Sequence, residues 1–107
     1  MANNYKNSKL DLTTTNITTL YTAPAATQTV MKSILVSNDS GSADTITLTI
    51  TNSASAVFSV YKNEEVGALS SKELLEQPLV VMENEILKVN AATADRLHVV
   101  ASYLEIT

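Results

Sequence analysis

The chain has 107 residues, of which 45% are hydrophobic and 17% charged, a composition typical of one folded domain and not of a disordered segment. The net charge of −4 disfavours direct binding to nucleic acid, and the lack of cysteine excludes disulfides, thiolate metal sites and cysteine nucleophiles. No apolar run reaches the roughly 20 residues of a membrane span, and the N terminus lacks the apolar core of a secretory signal. We therefore expect a soluble chain made in the cytosol.

Residues 1–12 are mostly polar, with three asparagines and two lysines, and show no periodicity. They predict an extended N-terminal arm, residues 1–14, ahead of a domain over residues 15–107. An exposed arm of this kind either frays or becomes ordered on a partner.

From Ile17 onward the patterns are those of short β-strands separated by polar turns. The segment 44–51 alternates strictly, with Ile46, Leu48 and Ile50 on one side and threonines on the other, which predicts a strand with one buried face. Further strands are predicted in 17–22, 29–38, 56–62, 79–82, 85–90 and 97–107.

Two segments are less regular. Residues 29–38 carry apolar side chains on both faces, Val30, Ile34 and Val36 against Met31 and Leu35, which predicts a central strand covered on both sides. Residues 71–76 fit either a strand or one helical turn, since Ser70 and residue 73 have capping-box spacing before Pro78. With seven or eight short strands in total, we predict an all-β fold, a single antiparallel β-sandwich of jelly-roll-like type.

Candidate catalytic and metal-binding residues are few. His98 is the only histidine, and a lone histidine on a strand is more often a packing or surface residue than a base. The pairs Glu64/Glu65 and Glu83/Glu85 fall in turn-like segments. Asp39 and Asp44 flank a turn of sequence "NDSGSAD" and would make only a weak calcium site. We therefore predict a protein that is not an enzyme and has no catalytic residues, cofactor or metal.

The composition does not exclude a sugar-binding function. Sugar-binding sandwiches use exposed aromatic rings for stacking, and this chain has four tyrosines, one phenylalanine and no tryptophan. A host-surface glycan-binding module is thus the more remote alternative.

Four segments in order resemble a group of small virion proteins of tailed bacteriophages: "ITTLYTAPA", "KSILVSNDSGSADTITLTI", "KELLEQPLVVMENEILKVNA" and "LHVVASYLEIT". The resemblance extends from about Ile17 to Thr107. The last segment has one residue more than the shortest form of that group, in Val100–Glu105. No catalytic residue belongs to the shared pattern.

The resemblance implies a β-sandwich that attaches to a larger particle, so that the protein, made in the host cytoplasm, resides in the virion. Capsid decoration is the first expectation: a cement protein that binds the lattice of the major capsid protein and stabilises the shell. A neck, tail or fibre accessory is the alternative. The partners would be virion proteins, with no direct contact to nucleic acid or membrane. Lattice symmetry favours a homo-oligomer, for example a trimer.

Two groups of residues are the predicted partner contacts. On the arm these are Tyr5, Lys6, Lys9 and Leu10, because two lysines on an acidic protein would match an acidic patch of a shell. On the strand 44–51 they are Thr47 and Thr49, because β-branched side chains lose little rotamer entropy on contact.

Overall fold

The computed structural model describes residues 3–107 and contains only strands and their connections there. This confirms the predicted all-β sandwich, with nine strands in place of seven or eight. The strands are β1 (Asn3–Asp11), β2 (Thr18–Thr22), β3 (Gln28–Asn38), β4 (Asp44–Thr51), β5 (Val57–Val66), β6 (Ser70–Glu73), β7 (Leu79–Val81), β8 (Ile86–Ala91) and β9 (Leu97–Ile106).

Two antiparallel sheets face each other. Sheet A has the order β1-β9-β3-β6, with β7 also paired to β3, and sheet B has the order β2-β8-β4-β5. The strands β6 and β7 follow one another along the same side of β3, and together they occupy the place of one interrupted edge strand. With that counting, the strand order is that of a jelly roll.

The core lies between the two sheets. Alternation along each strand sends every second side chain inward, and these side chains are almost fully removed from solvent. The largest fully buried ones include Met31, Ile34, Val36 and Leu97 of sheet A, Ile46, Leu48, Leu87 and Val89 of sheet B, and Leu12 and Leu74 of the connections. Ile50 is only half-buried, although it packs against this core.

The prediction that β3 is covered on both sides is wrong. A β-bulge between Met31 and Ser33 shifts the register, so that Met31, Ile34 and Val36 all point into the core. Leu35 points outward and is 41% exposed. Met31, Ile34 and Val36 therefore all contribute to the core, whereas Val30 and Leu35 lie on the outer face of sheet A.

The N-terminal segment also differs from the expected free arm. Residues 3–11 are strand β1, which pairs with β9 along its whole length, and Leu12 is buried behind it. Residues 1 and 2 of the predicted arm lie outside the described part of the chain. The strand escaped prediction because only Ser8 and Leu10 are partly buried, so its pairing depends on backbone hydrogen bonds more than on apolar alternation.

The ambiguous segment 71–76 contains a strand, β6, and not a helical turn. The Glu73 carboxylate ends it by accepting hydrogen bonds from the backbone N–H groups of Ile34 (2.7 Å) and Leu75 (3.1 Å), and from the Ser33 hydroxyl. Leu74 and Leu75 then turn inward and are buried. Glu73 thus joins β6 to β3 at the edge of sheet A.

Candidate functional site

A cluster of polar side chains, all buried except that of Lys6, lies at the end of the sandwich where β9 finishes. The Glu105 side chain is only 7% exposed; one oxygen accepts a hydrogen bond from Tyr21 (2.5 Å) and the other lies 2.8 Å from the Lys6 ammonium. Thr29 Oγ1 lies 2.7 Å from the Tyr21 hydroxyl oxygen, and Tyr103 stacks at a tilt with its ring centroid 4.4 Å from that of Tyr21. We call Lys6, Tyr21, Thr29 and Glu105 the Glu105 cluster.

In the Glu105 cluster, hydrogen bonds and charge outweigh the effect of burial on the pKa values of Glu105 and Lys6. The hydrogen bond from Lys6, and then that from Tyr21, lower the pKa of Glu105 below its usual range. Burial, followed by the hydrogen bond to Glu105, raises the pKa of Tyr21, and the bond to Glu105 raises that of Lys6. The carboxylate therefore stays ionised with both oxygens engaged, which makes the cluster a connection between β1, β2, β3 and β9.

The outer face of sheet A, by contrast, carries apolar side chains open to solvent. Cross-strand pairing aligns them in two rows, which we call the apolar face: Tyr5, Leu104, Val30 and Val80 in the first row, and Val100 and Leu35 in the second. Four of them are more than a third exposed: Tyr5 77%, Val80 52%, Leu35 41% and Val100 37%. Contiguous apolar side chains on a sheet face are typical of a contact surface.

Between the two rows lies a shallow depression of about 420 Å³. Its lining includes Tyr5, Asn7, Lys32 and Ser102, with Lys32 placed there by the β3 bulge. The depression therefore combines one exposed aromatic ring with hydrogen-bonding groups and a positive charge.

The outward side of β4, in sheet B, is polar. Thr45, Thr47 and Thr49 of β4 point outward and are half-buried; we call them the threonine face. Thr47 is tied to β5, since its Oγ1 accepts a hydrogen bond from the Asn63 backbone N–H (3.1 Å) and lies 3.4 Å from the Asn63 side-chain oxygen. Thr51, which the alternation places with them, is buried.

The predicted contact residues separate into two groups. Tyr5 and Lys9 lie on the outer face of sheet A, and Thr47 and Thr49 on that of sheet B. Lys6 and the half-buried Leu10 instead point inward, Lys6 to Glu105 and Leu10 to the core. The structure therefore does not bring the predicted contacts together into one patch.

The residues weighed for chemistry have structural partners. His98 lies between Asp11 (3.2 Å) and Asp39 (3.7 Å) on the surface, whereas the buried Asp44 accepts hydrogen bonds from the backbone N–H groups of Thr45 and Thr93. Asp39 and Asp44 thus face different groups, and no set of three His, Asp or Glu side chains within residues 3–107 has the arrangement of a metal site.

Three of the four carboxylates in the acidic pairs also have structural partners. Glu83 accepts a hydrogen bond from the Ala26 backbone N–H (2.7 Å), which joins the β7–β8 turn to the β2–β3 connection. Glu85 accepts one from the Met82 backbone N–H (2.8 Å) within that turn. Glu64 pairs with Lys72 across the sandwich edge.

The Glu105 cluster was missed by sequence reasoning, although a signal for part of it exists. Counting by two from Leu97 through the last strand places Glu105 on the inward side, a charged residue in a row of buried ones. Its partner Tyr21 gave no such signal, because a bulge in β2 buries Leu20 and Tyr21 together.

No helix in the described part of the chain is long and apolar enough to cross a membrane. No protein-family model matches this chain, and no curated protein matches it at a significant level.

Proposed function

We propose that this protein is a non-enzymatic structural subunit of a tailed-phage particle and that it decorates the capsid shell. The main support is the apolar face of sheet A, because removing exposed apolar side chains such as Tyr5, Val80 and Leu35 from water by contact with another protein is favourable. The sequence resemblance of four segments to phage virion proteins supports the choice of particle. Jelly rolls serve capsid and lectin domains alike, so the fold does not select the function.

The mechanism is repeated weak contact. A subunit that binds neighbouring shell proteins through a modest surface gains from multivalency, because each contact raises the effective concentration for the next. The threonine face supplies a second contact surface on the opposite side of the sandwich. Its β-branched side chains lose little rotamer entropy on burial.

Copy number in purified particles tests the proposal. Quantitative mass spectrometry against the major capsid protein should give on the order of hundreds of copies for a subunit that covers the lattice. About six or twelve copies would indicate a neck or tail protein and not a shell decoration protein, since the neck and tail have low-order symmetry. Absence from the particles would overturn the proposal.

The threonine face is tested by Thr47→Lys/Thr49→Lys, with Thr13→Lys/Thr15→Lys in an exposed connection as the control of equal charge change. The threonine-face variant should fold, losing about 1 kcal/mol because Thr47 no longer bonds Asn63. It should attach to particles more weakly than the control, measured by co-sedimentation. Equal attachment of both variants would remove the threonine face from the proposal.

Binding of a host-surface glycan is the second candidate, and the depression around Ser102 favours it. An exposed tyrosine beside an amide, a hydroxyl and an ammonium group suits stacking and hydrogen bonding to a sugar. A glycan array comparing the protein with Tyr5→Ala tests this candidate. Saturable binding that the variant loses would favour the glycan module over shell decoration.

A further inference from the structure

The pairing of sheet A gives the apolar face an ordered pattern. The first row runs Tyr5, Leu104, Val30, Val80 from one edge of the sheet to the other, and the second runs Lys9, Val100, Leu35, Glu73. In the second row a positive charge stands at the β1 edge and a negative charge at the β6 edge, with apolar side chains between them.

This pattern is complementary to itself. A two-fold axis parallel to the strands, between β9 and β3, reverses the order of the strands and leaves each row facing the same row. Leu104 then faces Val30 of a second copy, and Val100 faces Leu35. The same operation places Lys9 opposite Glu73 of the second copy, so the dimer contains two equivalent Lys9–Glu73 pairs.

We infer that the apolar face binds a second copy of this chain, forming a face-to-face dimer of sheet A. Sheets packed in this way lie nearly aligned, which keeps the rows opposite one another. In such a dimer the apolar face is covered by the second copy and the threonine face is left for contact with the shell; the inference rests on the proposed function only in taking the apolar face as a contact surface.

The charges on this face favour the dimer. Lys9 is exposed and belongs to none of the ion pairs found within residues 3–107. The Glu73 carboxylate is held in place by the Ile34 and Leu75 backbone, so it is positioned before the second copy arrives. Lys32, at the bulge between the rows, faces the polar region around Ser102 of the second copy.

The extent of the face sets the expected strength of the dimer. Four strands about 4.8 Å apart, with the nine residues of β1 about 3.3 Å apart along the strand, give roughly 500–600 Å² for the whole outer face of sheet A in each copy. A standard interface buries about 800 Å² for each partner, so this dimer belongs at the small end of specific interfaces. We therefore expect a dissociation constant in the micromolar range.

Sedimentation velocity of the full chain from about 1 to 100 μM tests the inference, because a micromolar dimer dissociates within that range. Leu35→Lys should raise the dissociation constant at least tenfold, since it places two ammonium groups in the apolar rows. Lys9→Glu should raise it several-fold, whereas Lys62→Glu, the same charge change on the exposed part of β5, should leave it unchanged.

Zero-length carbodiimide cross-linking of a mixture of ¹⁴N and ¹⁵N protein gives an independent measurement. Within one chain Lys9 and Glu73 lie three strand spacings apart, about 14 Å, too far for a direct amide bond. A cross-link between them must therefore join two copies, and mixed-isotope peptides should show it.

A monomer at every concentration would overturn the inference, as would a trimer. An oligomer that Leu35→Lys does not weaken, or one that lacks the mixed-isotope cross-link, would also overturn it. Because these measurements use the isolated chain, their failure is distinct from the outcome of copy number in particles, which tests shell decoration.

Discussion

Replacing Tyr21 by phenylalanine removes one hydroxyl group from the Glu105 cluster and keeps the ring. That hydroxyl donates to Glu105 at 2.5 Å and, with its own hydrogen so used, accepts from Thr29 at 2.7 Å. Both partners are buried, Thr29 fully and Glu105 to 5% exposure. The substitution therefore leaves the Glu105 oxygen and the Thr29 hydroxyl without this hydrogen-bond partner, at a buried position where water does not readily replace it.

The expected cost follows from these contacts. A hydrogen bond to a charged group contributes about 1.5–3 kcal/mol, and a buried hydroxyl left without a hydrogen-bond partner adds to the loss. We expect Tyr21→Phe to lower the free energy of unfolding by about 3 kcal/mol. For a domain of this size that corresponds to a decrease in Tm of roughly 15 °C.

Urea denaturation followed by circular dichroism measures this change. Tyr61→Phe is the matched control, because the half-buried Tyr61 hydroxyl makes no hydrogen bond within the described residues, and its loss should change stability by less than about 0.5 kcal/mol. A loss below about 1 kcal/mol for Tyr21→Phe would refute the reasoning, since the cluster would then not stabilise the fold.

Two further predictions concern the same end of the sandwich. The folded-state pKa of Glu105 is lowered, so its contribution is present above the unfolded pKa near 4.5 and is lost as the pH falls through the folded value. The stability difference between the wild type and Glu105→Gln should therefore shrink between about pH 5 and pH 2; a difference independent of pH would contradict the ionised cluster. Removing residues 1–12 should cost at least about 3 kcal/mol, because it unpairs β9, removes Lys6 from Glu105 and empties the site of Leu12. An unchanged denaturation midpoint would contradict this prediction and show that residues 3–11 are dispensable for stability.

The strands that the sequence predicted are those with regular alternation. In β4 and β9 every second residue points inward, so counting by two identifies the buried face. Alternation fails at the β3 bulge, which puts Met31 and Ile34 on one side although their spacing places them on opposite sides. The side chains of β1 alternate regularly, but the inward position is occupied by Lys6, whose ion pair with Glu105 gives no apolar pattern in the sequence.

The candidate surfaces were predicted in part. Thr47 and Thr49 do lie outward on sheet B, as the alternation of β4 indicates. The apolar face was not foreseen, since its rows combine residues from four strands that are far apart in the chain. Tyr5 and Val80 lie at the two ends of one row because β9 and β3, which lie between their strands in the sheet, align them.

By itself the sequence determined the fold class and most strands, because the interval between buried residues is a local property of an extended chain. The tertiary structure decided which strands are neighbours, and with that the two features on which the proposals depend. The Glu105 cluster draws on β1, β2, β3 and β9, and the apolar face on four strands of sheet A. Cross-strand register is set by bulges and by packing between distant segments, so neither feature is encoded in any one stretch of the chain.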